Sequence, residues 1–197
     1  MLLRKHEDNG FTIAELVIVI SLVAIVSIIF ANFFSDNFKS YLRLQQTTVT
    51  TNTLNSSSQR IARVVRGMTT ITQATDDSLT GFAYFTPRDN TLSKVRYFFD
   101  SPSGTIKVGV TPASGTAPNY TYNSSSEKIT SISEGVVNTT PIFTYQDSSG
   151  SSQQFTTETY KDIKAIKIDL VSKAIPGKTI PLEISTTVAL RNRKSNL

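Results

Sequence analysis

The distribution of apolar and polar residues divides the chain into regions of different periodicity. Residues 11–34, FTIAELVIVISLVAIVSIIFANFF, are predominantly apolar, and Glu15 is their only ionisable residue. Between residues 35 and 68, apolar residues recur at spacings of three and four near both ends, around 38–42 and 61–68, which is the spacing of one face of an α-helix. Beyond residue 68, apolar and polar residues alternate in short runs, as in β-strands that bury one face.

The first two regions predict one long helix. No glycine or proline occurs between Phe11 and Arg66, and Gly67 is a candidate helix end. At about 1.5 Å per residue the helix would be roughly 80 Å long. The Thr-, Ser- and Asn-rich segment 47–58 has poor helix propensity, which favours a fray or bend there. The predicted apolar stripe consists of Phe30, Phe33, Phe34, Phe38, Tyr41, Leu42, Leu54, Ile61, Val64, Val65 and Met68.

The third region predicts an antiparallel sheet with one dry face and one wet face. In its later part Ile166, Ile168 and Leu170 are predicted to face inward, and Lys167 and Asp169 outward. The amphipathic half of the helix would cover the dry face. The fold class expected is therefore α+β: a long N-terminal α-helix, its membrane half protruding, packed on an antiparallel β-sheet domain. The predicted strands are 81–86, 94–100, 104–110, 119–122, 127–132, 141–147, 160–173 and 179–193.

Composition narrows the chemistry available to the chain. Among 197 residues there is no cysteine, no tryptophan and one histidine, His6. Disulfides and thiol chemistry are excluded, and histidine-based metal or acid–base chemistry has almost no basis. No glycine-rich phosphate loop or paired-carboxylate motif is present. We therefore expect a protein that is not an enzyme and that needs no cofactor and no metal.

The apolar region has the length and flanks of a membrane segment. It approaches the roughly 20 residues that cross a bilayer. Arg4 and Lys5 precede it, which predicts a cytoplasmic N-terminus. The sequence FANFFSDNF that ends it is a poor signal-peptidase site, whereas the small residue Gly10 lies before it. Cleavage at Gly10 would keep the apolar helix in the mature protein.

The segment G10-F11-T12-I13-A14-E15-L16 resembles the prepilin signature of type IV pilins and type II secretion pseudopilins. The resemblance implies that a prepilin peptidase cuts between Gly10 and Phe11 and methylates the new amine of Phe11. It covers about 25 residues; Glu7 and Asp8, close to the cut, depart from it mildly. Two further stretches, SQRIARVVRG and LRNR, are loosely similar to minor pseudopilin J and PilW-like minor pilins.

This resemblance implies an organisation, a location and a set of partners. Residues 1–10 would be the leader peptide, 11–34 the transmembrane and filament-core helix, 35–68 the amphipathic half of the spine helix, and 69–197 the β-rich globular domain. The protein would reside in the bacterial cytoplasmic membrane and then in an extracytoplasmic pilus or pseudopilus. Its partners would be other pilin or pseudopilin subunits, the prepilin peptidase, the inner-membrane assembly platform and, before assembly, membrane lipid.

Glu15 is the predicted assembly residue. A lone carboxylate in hydrocarbon costs on the order of 2.5 to 3.5 kcal/mol, so such a residue is usually paired. In pilins, Glu at this position is taken to pair with the N-terminal amine of a neighbouring subunit, which would make Glu15 a determinant of helix register. The alternative is that Glu15 merely extends to the interface from the end of a plain anchor, but that leaves Gly10-Phe11 unexplained.

Three other groups of polar residues were candidates for sites. Arg60, Arg63 and Arg66 are interpreted as favourable last-turn cations, with an anion-binding stripe as the alternative. The sequences DSPSG (100–104) and DSSGSS (147–152) each have one Asp; calcium binding occurs in some pseudopilins, but a calcium loop gathers several carboxylates, so plain turns are expected. The basic cluster Arg191, Arg193 and Lys194 is interpreted as a solvated tail, with contact to an anion such as DNA as the alternative.

The function expected is that of a structural subunit, a minor pilin or pseudopilin, cleaved after Gly10 and assembled by helix packing. The alternative on the same scaffold is a binding subunit at the filament tip, such as a DNA-uptake receptor or an adhesin. A membrane-anchored enzyme has no motif in its favour.

Overall fold

The computed structural model describes residues 12–117, 119–173 and 181–191. A single long helix, α1 (Ile13–Arg66), precedes the β-strands, and the chain divides into two compact units, Met1–Gln45 and Gln46–Leu197. The α+β class with a long N-terminal helix is confirmed. The strands are β1 (Thr70–Thr75), β2 (Ser78–Ala83), β3 (Ser93–Asp100), β4 (Thr105–Thr111), β5 (Lys128–Ser133), β6 (Phe143–Gln146), β7 (Ala165–Val171) and β8 (Glu183–Ala189).

Helix α1 ends where the sequence predicted. The amide of Gly67 donates to the carbonyl of Val64 at 3.0 Å, and the next amide donates to Val65, so the last turn tightens. The buried residues of α1 all lie between Leu54 and Val65. The aromatic part of the predicted stripe, Phe30 to Leu42, is exposed instead. The stripe that covers the sheets therefore begins later along the helix than the three-and-four spacing indicated.

Helix α1 continues through 47–58, so the predicted fray is not found, although propensity there is poor. Two serines account for part of this continuity. Ser57 Oγ donates to the carbonyl of Ile132 at the end of β5 at 3.1 Å, and Ser58 Oγ donates to Thr186 Oγ1 in β8 at 2.7 Å. Ser58 is fully buried (0% exposed). These two tertiary hydrogen bonds help to offset the low helix propensity of the segment.

The strands form two antiparallel sheets. The first has five strands in the order β1-β2-β3-β4-β5 and the second has three in the order β6-β7-β8. Strand β1 was missed because a register shift between Ile71 and Gln73 breaks its alternation. The predicted strand 81–86 is wrong in its bounds: β2 begins at Ser78, where it pairs with β1, and ends at Ala83. Residues 119–122 form only the bridge Ser114↔Thr121, and Tyr160–Asp162 is a 3-10 turn rather than strand.

Both sheets bury one face against the C-terminal part of α1. Tyr145 of β6 ties the sheets together, because its buried hydroxyl donates to the carbonyl of Thr75 at 2.7 Å, and burial raises the pKa of that phenol. Residues from both sheets share the core with the helix. Its largest fully buried members include Ile61, Met68, Leu79, Tyr97, Ile106, Phe143, Ile163 and Ile166.

The inward residues of β7 are as predicted, with Ile166, Ile168 and Leu170 fully buried. Asp169 lies on the same face as Lys167, as predicted, but its expected exposure is wrong, since it is only 7% exposed. The segment before β6 covers it: the amide of Asp169 donates to the carbonyl of Ile142 at 2.9 Å, and Asn138 Nδ2 donates to the backbone carbonyl of Asp169 at 2.6 Å. Lys167 Nζ forms an ion pair with the carboxylate of Asp169 at 2.9 Å. The alternation of apolar and polar residues within a strand does not show whether another segment of the chain covers its polar face.

Candidate functional site at the start of the helix

Thr12 and Glu15 form a reciprocal cap at the start of α1. The amide of Glu15 donates to Thr12 Oγ1 at 3.2 Å, while Glu15 Oε2 accepts from the amide of Thr12 at 3.3 Å and from its hydroxyl at 3.2 Å. This is the capping-box arrangement, which satisfies two amides that otherwise lack intrahelical partners. The spacing T-x-x-E carries the signal for it, and sequence reasoning missed it by treating Glu15 only as a charge.

The helix beyond this cap presents apolar side chains on all sides. Every residue from Ile13 to Phe34 is exposed, and α1 is long and apolar enough to cross a membrane. Its hydroxyls are satisfied internally: Ser21 Oγ donates to the carbonyl of Val17 at 2.8 Å and Ser27 Oγ to that of Val23 at 2.7 Å. Satisfied backbone and hydroxyl groups make such a helix compatible with hydrocarbon.

Glu15 has no charged neighbour in the apolar part of α1. It is the only ionisable residue between Ile13 and Ser35. Its hydrogen-bond donors are neutral and both reach Oε2, and Oε1 has no hydrogen-bond partner among residues 12–117, 119–173 and 181–191. The cap orients the carboxylate at the helix start without neutralising it. A cation placed at Oε1 would find a negative charge already held in position.

The predicted processing residues Gly10 and Phe11, together with Arg193 and Lys194, lie outside the described residues. Arg191 is described and exposed. Its amide donates to the carbonyl of Arg66 at 3.2 Å, so the chain after β8 meets the end of α1. The structure thus brings together two basic features that are far apart in the sequence, the arginines of the last helical turns and the beginning of the RNRK cluster.

The two aspartate loops have local structural uses. In the loop at 147–152, the hydroxyl and amide of Ser149 donate to Asp147 Oδ1 at 2.6 and 2.8 Å, and these bonds lower the pKa of that carboxyl. In the β3–β4 turn, Lys107 Nζ and the Ser103 hydroxyl donate to the Asp100 carboxylate. Both bonds lower its pKa, and the bond from Lys107 has the larger effect. Both carboxylates stabilise their own turns, which agrees with the plain-turn interpretation.

Comparison with models of known protein families and with curated proteins finds no match to this chain. The chain's own residues carry the information on its function. They provide an α+β protein whose long apolar N-terminal helix could span a membrane, with a capped carboxylate at the beginning of that helix.

Proposed function

We propose that this chain is a structural subunit, of minor pilin or pseudopilin type, of a type IV pilus or a type II secretion-like filament. The observation that carries the proposal is Glu15: a carboxylate held at the first turn of α1, five residues after a glycine, in a helix that is otherwise apolar and uncharged as far as Ser35. A plain membrane anchor would gain only the helix cap, which a neutral glutamine could supply without the cost of a charge in hydrocarbon. An assembling helix gains from it once a complementary charge arrives.

Cleavage between Gly10 and Phe11 supplies that complementary charge. The new amine belongs to Phe11, and in the membrane it carries its own desolvation cost. Pairing this amine with Glu15 of a neighbouring subunit offsets both costs at one axial offset between the two helices. Assembly then moves the apolar helix from lipid into a helix bundle with little net change in apolar burial. The pairing therefore selects the register of packing.

Thr12 supports this pairing by its geometry. Its amide and hydroxyl hold Oε2 of Glu15 against the helix start, which leaves Oε1 as the acceptor for an incoming ammonium. A carboxylate restrained in this way loses less rotamer entropy on pairing than a free glutamate, for which that cost is up to about 2 kcal/mol.

Mapping the mature N-terminus tests the proposal directly. In cells with an active prepilin peptidase, intact-protein mass spectrometry of the purified membrane protein should find a chain that begins at Phe11 with a methylated amine. In matched cells without the peptidase the same chain should begin at Met1. A chain that keeps its first ten residues in the presence of the active peptidase would rule out the filament role.

A second candidate role is a DNA-binding subunit of the same filament, and one observation favours it. The contact between the Arg191 amide and the Arg66 carbonyl places the start of the RNRK cluster beside the last of three exposed arginines, Arg60, Arg63 and Arg66. None of these three forms an ion pair with any residue in the described part of the chain. Cations clustered in this way suit phosphate contacts.

Charge reversal tests this second role. Replacing Arg191, Arg193 and Lys194 by glutamate should abolish salt-sensitive DNA binding and leave filaments intact. If all three contact phosphates, even their neutralisation would lower the slope of log K against log salt by roughly 2 to 3. The matched control reverses the exposed lysines Lys128, Lys161 and Lys173, which changes net charge equally. Equal DNA affinity in the two triple variants would remove this role.

A further inference from the structure

The outer face of the five-stranded sheet carries a polar groove that the filament role does not use. The register of the strands assembles it: Thr80 lies opposite Arg96, which lies opposite Gly109, and Lys94 lies opposite Thr111. Residues paired across neighbouring strands point to the same face, so their side chains converge. The groove has a volume of about 430 Å³, and Thr72, Gln73, Ser124 and Glu127 complete its walls.

A glycine in β4 allows the central charge pair of the groove to form. The side chain of Glu127 lies directly over Gly109, where any Cβ would overlap its carboxylate. From there Glu127 binds Arg96 through two hydrogen bonds, Nε to Oε1 at 3.0 Å and Nη2 to Oε2 at 2.8 Å. The guanidinium also lies 4.3 Å from the centre of the Phe98 ring. Arg96 is thus held in one orientation at the groove floor.

The hydrogen-bonding capacity left over in the groove consists mainly of donors. Each carboxylate oxygen of Glu127 already accepts one hydrogen bond from Arg96, and Gln73 Oε1 accepts one from the Thr80 hydroxyl at 3.3 Å. By contrast, Lys94 Nζ and Arg96 Nη1 have no hydrogen-bond or ion-pair partner within the described ranges 12–117, 119–173 and 181–191. The lining carries two cations and one anion, so one positive charge is left in excess.

These features define the chemistry of a ligand. Unused donors and an excess positive charge suit an oxyanion. The groove is larger than one such ion requires, since pockets for whole small molecules begin at about 300 Å³. The hydroxyls of Thr111 and Ser124 can each donate and accept, which suits ligand hydroxyls. We propose that the groove binds an acidic sugar, whose carboxylate or phosphate group pairs with Lys94 and whose hydroxyls bond to the remaining wall.

The test is ligand binding by the full chain. The protein would be purified in lauryldimethylamine oxide, a detergent with neither a sugar nor a phosphate group. Binding of glucuronate, glucose 6-phosphate and neutral glucose would be measured by saturation-transfer NMR and calorimetry. We expect at least one of the two acidic sugars to bind at millimolar or lower concentration, with glucose weaker by about tenfold or more, as a charge-assisted hydrogen bond implies. The acidic sugar that binds identifies the oxyanion.

Matched variants assign the binding to the groove. Lys94→Gln should weaken binding of the acidic sugar by about tenfold or more, and Lys94→Arg should restore much of it because the charge returns. Lys161→Gln, an exposed lysine in the 3-10 turn before β7, should bind as the unmodified chain does. Thermal unfolding of each variant checks that the sheet is intact.

Three results would overturn the groove assignment: no binding of either acidic sugar, equal binding of glucose, or undiminished binding by Lys94→Gln. The groove lies wholly within the Gln46–Leu197 unit, and the filament proposal concerns the N-terminal helix. Loss of sugar binding from a chain that is still cleaved at Gly10 would therefore remove this inference alone.

Discussion

Replacing Glu15 by valine should leave membrane insertion and processing close to normal while reducing incorporation into filaments by at least about tenfold. The variant removes a charge that costs on the order of 2.5 to 3.5 kcal/mol in hydrocarbon, so insertion does not suffer. In the proposed filament it would also leave the Phe11 amine of a neighbouring subunit unpaired inside the helix bundle, which would penalise assembly. Quantitative immunoblotting of sheared filaments against the membrane fraction measures the ratio.

Two companion variants separate the charge of Glu15 from its capping role. Glu15→Gln keeps an oxygen that can accept from Thr12 but loses the charge, whereas Thr12→Val loses the hydroxyl and keeps the charge. Pairing predicts that Glu15→Gln assembles as poorly as the valine variant and that Thr12→Val is milder. If Glu15 served only as a helix cap, Glu15→Gln would assemble normally, and such a result would contradict the pairing argument.

A large stability effect is expected at Ile61, where α1 contacts the core. Its side chain is fully buried (0% exposed). Truncation to alanine should lower the free energy of unfolding of the Gln46–Leu197 unit by about 2 to 5 kcal/mol, because apolar contact is lost and a cavity remains. Denaturation of the full chain in detergent, followed by the near-ultraviolet circular dichroism of its tyrosines, measures this loss.

Val49 offers the matched control in the same helix. It is 59% exposed, so Val49→Ala removes little buried area. Its effect should stay within about 0.5 kcal/mol. Similar losses in the two variants would mean that α1 does not pack on the sheets through the Leu54–Val65 stripe.

Local signals in the sequence were sufficient for the main elements. The absence of glycine and proline between Phe11 and Arg66 predicted one helix, and Gly67 predicted its end; the structure agrees with both. Alternation predicted the buried face of β7. It failed for β1, where a bulge disturbs the period, and for Asp169, which a separate segment covers. Period-two patterns record one layer of burial only.

The candidate site was also predictable in part. The position of Glu15 after Gly10-Phe11 and before an apolar run marked it as the residue to test. The capping box with Thr12 was equally readable from its spacing, since its two residues lie within one turn. The groove over β3 and β4 could not be predicted from the sequence. Arg96 and Glu127 are 31 positions apart, and they meet only because Glu127 lies over Gly109 in the sheet.

The sequence by itself determined the long helix, its apolar first half, the single charge within it and the approximate positions of most strands. These depend on dihedral preference and on the hydrophobicity of residues a few positions apart. Only the tertiary structure decided that the covered stripe starts at Leu54, that Ser57 and Ser58 fasten the helix to both sheets, and that Arg191 meets Arg66. Each of those contacts joins residues distant along the chain. Their energies depend on which surfaces meet after the strands pair, and no local pattern encodes that choice.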